Sequence, residues 1–242
     1  MFHFFRKIRR DLLAKSQFFK YLKYAIGEII LVVVGILIAL QFNNWNEEKK
    51  QKEKEIINLI ALKNDLENDL NSEFIPAIGK YDELNKYSST AVKFYFNKEN
   101  IPKDSLLKCL YESSREWRFS YNKGAYENLL STGIDLITND SLRIKISSLY
   151  SDGYSELILF DKVVQNFNDN QYSPIVFNLI KFNDYTLSQN NFNELKYSIP
   201  ISNSIKSLHR KRVLLLDRVK IVKKDAEILI GDIHKELERL GG

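Results

Sequence analysis

The sequence predicts an all-α protein in which a single N-terminal transmembrane helix continues into a stalk and then an extracytoplasmic helical bundle. Three observations carry this expectation. An apolar block runs from Tyr24 to Phe42, with basic residues before it. Apolar residues recur at steps of three and four through most of the chain beyond it. No alternating strand pattern joined by hairpin turns is legible.

The apolar block holds nineteen residues, and at about 1.5 Å each these give roughly 28 Å of helix, close to the ~30 Å hydrocarbon thickness of a bilayer. Residues 29–40 contain ten Ile, Leu or Val, each gaining roughly 0.3 to 0.6 kcal/mol on insertion. Charge sets the direction. Residues 1–23 carry Arg6, Lys7, Arg9, Arg10, Lys15, Lys20 and Lys23 against Asp11 alone, a net of +6. The positive-inside bias keeps this tail in the cytoplasm and exports residues from about 43 onward. A signal-anchor is expected rather than a cleaved signal peptide, because the apolar stretch is long and no A-x-A site follows Leu40. Trp45, just past the block, suits a membrane interface.

The whole chain is +5, so removing the +6 tail leaves 29 Lys plus Arg against 30 Asp plus Glu, or −1. The basic excess is therefore a membrane signal rather than a nucleic-acid one. Each tail cation gains about 1 kcal/mol from anionic headgroups. The partners expected are an anionic bilayer and either an unknown protein or a second copy, without nucleic acid. Cys109 is the only cysteine, so no internal disulfide forms, and it reads as a small buried residue beside Leu106, Leu107 and Leu110.

Domains follow as a tail over 1–23, the span over 24–42, a stalk helix over 43–75 and a bundle over 76–242 packed with the stalk. No Gly or Pro lies between Gly35 and Pro76, so nothing local ends the helix at the bilayer surface. Ile56, Leu59, Leu62, Leu66 and Leu70 form its apolar stripe. After Pro76 a second helix is expected over 77–96. Shorter helices are expected over Lys103 to Glu116 and Lys123 to Thr132, the latter ended by Gly133 where a left-handed C-cap would sit. Thr138, Asn139 and Asp140 open a helix of about 30 residues that Asn166 to Gln171 closes. Residues 172–202 are the least regular.

The final helix, Asn203 to Leu240, is the clearest. Ile205, Leu208, Arg212, Leu215, Val219, Val222, Ala226, Leu229, Ile233, Glu236 and Leu240 fall on an a/d series in which nine of eleven are apolar. Leu214, Leu216, Ile221, Ile228 and Ile230 widen the stripe toward a bundle. Antiparallel pairing with the stalk places Leu237 and Leu240 near Ile56, and Leu208 near Leu66 or Leu70.

Two stretches carry a family resemblance. The run Tyr24-Ala25-Ile26-Gly27-Glu28-Ile29-Ile30-Leu31-Val32-Val33-Val34-Gly35-Ile36-Leu37-Ile38-Ala39-Leu40-Gln41-Phe42-Asn43-Asn44-Trp45-Asn46-Glu47 resembles the signature of an uncharacterised bacterial single-span membrane family, classed as a domain of unknown function. Tyr126 to Gly133, leading into Leu136 to Arg143, is similar to that family's exported part. The resemblance implies a Gram-negative inner-membrane protein with a periplasmic domain, and it supplies no activity, cofactor or catalytic residue.

Candidate chemistry is sparse. Ser105-Leu106-Leu107-Lys108 has the S-x-x-K spacing of penicillin-binding proteins, without the K-T-G and second polar motif such enzymes need. Only His3, His209 and His234 are available, and there is no H-E-x-x-H, Cys cluster or G-x-S-x-G. The Asn166 to Asn170 run lacks the Gly and the bidentate acid of a calcium loop. His209-Arg210-Lys211-Arg212 reads as a solvated basic face. No catalytic residue, metal or cofactor is assigned.

Glu28 is the one polar site of note, because a carboxylate inside a span is costly unless paired or hydrated. Gly35 and Ala39 form a small-x-x-x-small pair suited to close helix packing. Trp117, Phe119, Tyr121 and Tyr126 line either a pocket or, more simply, the core. The expected function is non-enzymatic partner binding or envelope sensing. The alternative is an accessory subunit of an ion- or proton-driven complex using Glu28, and a hydrolase using Ser105 ranks third.

Overall fold

The structure is a computed structural model that describes residue 6 and residues 18–183, 186–189 and 192–241. Lys7, Arg9, Arg10, Asp11, Lys15 and His3 lie outside the described residues. The chain divides into two compact units, Met1–Lys54 and Glu55–Gly242. Residues 55–75, read from sequence as stalk, thus belong to the second unit.

Helix α1 spans Phe18–Asp69. Its part in the first unit is long and apolar enough to cross a membrane, and none of the most apolar window is buried. Ile29, Leu31 and Leu37 are 63%, 74% and 59% exposed. A helix apolar on every side with no core of its own needs a lipid or protein surround.

In the second unit, α1 does not stop at Pro76. It passes through a π-helical turn, Leu70–Phe74, directly into α2, Ile75–Asn97. Proline lacks an N–H and crowds the carbonyl four residues earlier, and a wider turn just upstream relieves both while the chain stays helical. The expected break between two helices is therefore corrected to one uninterrupted helical run. The remaining elements are α3 (Lys103–Glu112), α4 (Gly124–Thr132), α5 (Asp140–Ser148), α6 (Ser155–Phe167), α7 (Ser173–Leu179), strands β1 (Ile180–Asn183) and β2 (Thr186–Gln189), α8 (Phe192–Lys196) and α9 (Ile199–Leu240).

The all-helical class stands. The two strands pair as one antiparallel ribbon, Ile180 opposite Gln189, inside the stretch expected to be least regular. Asn139 caps α5 by accepting from Leu142 N at 3.2 Å. Gly133 follows α4 at φ 107° and ψ 120°, a positive φ outside the left-handed helical basin. The helix opened by Asn139 does not close at Asn166. Further π-helical turns at Leu149–Tyr154 and Asn168–Tyr172 carry it onward into α7.

Helix α9 is capped by Ser198, whose side chain accepts from Ile201 N, and ends at Gly241 with φ 73°. It runs antiparallel to α2. Ser88 Oγ lies 2.9 Å from His209 Nδ1, and at the far end Arg239 reaches Thr138, which donates to Glu55. The end of α9 thus returns to Glu55 and Ile56 as expected. Leu208, expected near Leu66 or Leu70, sits instead at the level of Ser88, because the uninterrupted helix extends the pairing into α2.

The nine apolar a/d residues of α9 are buried, and so are Leu59, Leu62 and Leu66. Leu214, Ile221 and Ile228 do not widen the core as expected, being 52%, 51% and 49% exposed. Leu229, 2% exposed, is a direct probe of this packing. Leu229→Asp should cost about 3–5 kcal/mol, the sum of a lost core side chain and a buried carboxylate. Chemical denaturation of the detergent-solubilised chain reads the change.

Candidate functional site

Residues 115–123 form no helix or strand, so their backbone groups must find partners elsewhere. They find them in side chains from four helices. Arg212 of α9 donates to the carbonyls of Ser113 and Arg115, both at 2.6 Å. Asn168 donates to the Ser114 carbonyl and to Glu116, both at 2.8 Å. Asp161 of α6 accepts from Phe119 N at 3.3 Å, and Asp69 accepts from both Asn122 N and Asn122 Nδ2 at 2.8 and 2.7 Å. Asp65 takes Ala125 N at 3.0 Å.

Two tyrosines complete the network. Tyr81 donates to Asp161 at 2.7 Å, and Tyr154 to the second oxygen of Asp69 at 2.9 Å. Rings then close over it. Tyr121 stacks on Tyr154 at 4.2 Å and Tyr126 on Tyr150 at 4.3 Å, while Phe74 lies 5.0 Å from Phe119. Offset stacking adds to the buried area of each ring. The π-helical turns supply Phe74, Tyr150 and Tyr154 to this layer, and Tyr172, buried apart from it, donates to the Leu110 carbonyl at 2.8 Å.

Burial raises the carboxyl groups of Asp69 and Asp161 above the ordinary range, partly offset by the hydrogen bonds each accepts. Burial together with a neighbouring carboxylate pushes Tyr81 and Tyr154 well up, so both are neutral phenols at physiological pH. Burial pulls Arg212 down to about 10, which still leaves it charged. Asp69 is fully buried and Asp161 is 3% exposed. Both carboxylates are closed off from solvent, and the network ties one loop to four helices. A matching tie joins the other end, where Glu55 accepts from Thr138 N and Glu236 from Asn139 Nδ2, each at 2.8 Å.

A model of a family of unknown function, DUF6090, covers residues 28–193. The chain belongs to that family. No curated protein and no solved structure matches it. In this DUF6090 chain the matched range includes Asp69, Tyr81, Tyr154, Asp161 and Asn168, and leaves α9, with Arg212 and Glu236, outside. It begins at Glu28, inside the first stretch read from sequence as a family signature, and contains the second.

The residues singled out from sequence are dispersed. Glu28, Gly35, Ala39 and Trp45 lie exposed on α1 in the first unit. Ser105 and Lys108 are exposed on α3, and Cys109 beside them is buried. Of the aromatic set, Phe119 is buried and Tyr121 and Tyr126 join the stacked layer, whereas Trp117 contributes its carbonyl, 3.3 Å from the Tyr81 hydroxyl. Arg212, expected on a solvated face, is 1% exposed. Asn168, expected in a closing loop, is 1% exposed and bonded on both sides. The signal for Arg212 and Glu236 was present, since they are the two non-apolar members of the α9 heptad series. Asp69 and Asp161 carry no such mark.

An open groove of about 350 Å³ lies between the Leu149–Tyr154 turn and α9, lined by Lys145, Leu149, Gly153, Arg218 and Ile228. Its cations are engaged, Lys145 with Asp232 at 2.6 Å and Arg218 with Glu156.

Proposed function

We propose that this DUF6090 protein is a non-enzymatic, single-span inner-membrane protein whose periplasmic helical domain binds a partner or senses the envelope. The observation that carries this reading is where the side chains are spent. The interior carboxylates hold the protein's own loops, while on α6 the large apolar residues Leu159, Phe160 and Val163 remain 61%, 43% and 46% exposed. Side chains of that size left in water across adjacent turns favour a docking surface. The +6 tail against a nearly neutral remainder supports a cytoplasmic N-terminus.

The test places a photo-crosslinking residue at Phe160 in the full-length chain in cells, with Lys93, exposed on α2, as control. A discrete adduct from Phe160 and none from Lys93 is expected; no adduct from Leu159, Phe160 or Val163 defeats the reading. A periplasm-active reporter fused after Gly242 should be active, and a cytoplasm-only reporter silent.

A second reading, an accessory subunit of an ion- or proton-driven complex, rests on Glu28. It is the only charged residue between Lys23 and Glu47, and at about 100° per residue it shares a helix face with Gly35 and Ala39. Glu28→Gln should then abolish activity of the complex without loss of expression. A neutral result removes this reading.

A further inference from the structure

The outward face of α9 carries Leu214, Ile221 and Ile228, each about half exposed and seven residues apart. A seven-residue step returns to nearly the same side of a helix, with a drift of ~20°. The three therefore form one straight apolar stripe, about 21 Å from first to last. Around it lie Arg210, Asp217, Lys224 and Asp225, all exposed, with Arg218 and Asp232 half-buried. Among the described residues, no element of the second unit covers this stripe, although the a/d side of α9 is packed.

The order of charges along the stripe is informative. Turning the face end over end about Ile221 sets Leu214 against Ile228 and Ile221 against itself. Asp217 and Lys224 fall on one side of the stripe, Arg218 and Asp225 on the other, at about 100° per residue. A two-fold axis lying in the interface keeps each side on its own side. The turn therefore brings Asp217 to Lys224, Arg218 to Asp225 and Arg210 to Asp232, opposite signs at these three positions, while toward the ends Lys206 comes level with Lys235. A parallel pair, whose axis runs along the helices and exchanges the two sides, would instead set Arg210 against the partner's Arg210 and Asp232 against the partner's Asp232 near the middle of the stripe.

We propose that this face binds a second copy of the chain, through an antiparallel pairing of α9 centred on Ile221. The interface is isologous, the same patch used by both copies. It has an apolar line of Leu214 on the partner's Ile228, Ile221 on the partner's Ile221, and Ile228 on the partner's Leu214. Ion pairs from Asp217 to the partner's Lys224, from Arg218 to the partner's Asp225 and from Arg210 to the partner's Asp232 flank it, each occurring twice. Arg218 bonds Glu156 through one terminal nitrogen, so the partner's Asp225 would share that guanidinium. Asp232 holds Lys145 and has a second oxygen available. The pairing extends the proposed function and does not depend on any protein recruited by α6.

The experiment uses the full-length chain in detergent, with buried Cys109 replaced by alanine and single cysteines introduced at exposed positions. Ile221→Cys lies on the two-fold axis and should form a disulfide-linked dimer on mild oxidation. Leu214→Cys alone should not, because its own mate lies about 21 Å away, whereas Leu214→Cys mixed with Ile228→Cys should. Light scattering should show a dimer whose dissociation constant rises at least tenfold in Lys224→Asp. Adding Asp217→Lys to that variant should restore the dimer, since the pair is exchanged rather than lost. Self-crosslinking of Leu214→Cys would establish a parallel pairing and overturn the proposal. A chain that stays monomeric with no Ile221→Cys disulfide would assign the stripe to a different protein and overturn it equally.

Discussion

Arg212→Ala should lower the stability of the helical domain by roughly 3–5 kcal/mol. Arg212 is 1% exposed and donates to the carbonyls of Ser113 and Arg115. Truncation leaves both acceptors without their donor and opens a cavity the length of the side chain. Each effect alone costs 1 kcal/mol or more. Arg212→Met separates them, because it keeps most of the volume and loses only the hydrogen bonds; its cost should be about half. Trp117 lies within the tethered segment, so its fluorescence during chemical denaturation reports the transition. Wild-type stability in Arg212→Ala would mean that the segment is held by packing and not by this cation.

Asp69→Ala should be comparably severe at neutral pH, about 2–4 kcal/mol, because three donors lose their acceptor at once: Asn122 N, Asn122 Nδ2 and the Tyr154 hydroxyl. Asp69→Asn retains the oxygen that Asn122 uses and should cost much less. The two also differ in pH dependence. Burial raises the Asp69 carboxyl above its unfolded value of 3.8, so folding favours the protonated form. Its contribution is fully present below pH 3.8 and is lost as pH rises through the raised folded value. Asp161 acts in the same direction. Mild acidification from neutral pH should therefore not weaken the domain through these two groups, and Asp69→Asn should flatten the profile. Urea midpoints at pH 5 and pH 7 for wild type and Asp69→Asn measure this. A wild-type midpoint that falls steeply on acidification while that of Asp69→Asn does not would show that Asp69 is needed as a carboxylate.

Features that depend on a residue and its near neighbours are legible in the sequence. The apolar block of α1 is legible because ten of the twelve residues over 29–40 are Ile, Leu or Val. The buried seam of α9 is legible because helical periodicity is local, and Asn139 because a cap acts on a residue three positions away. The all-helical class follows from the same short-range pattern.

The fate of polar and aromatic residues was settled by packing between distant parts of the chain. Pro76 reads as a break, yet the π-helical turn at Leu70–Phe74 absorbs it. Arg212 reads as solvated and Asn168 as loop, yet each is buried by the carbonyls it serves. Asp69 meets Asn122 and Tyr154 across 53 and 85 residues, and Tyr81 meets Asp161 across 80. Leu214, Ile221 and Ile228 have the same composition and spacing as core residues, and only the placement of neighbouring helices leaves them outside. A polar side chain can be buried only where a partner arrives, and an apolar one is exposed only where none does. Both outcomes depend on chain that is distant in sequence, so local pattern does not contain them.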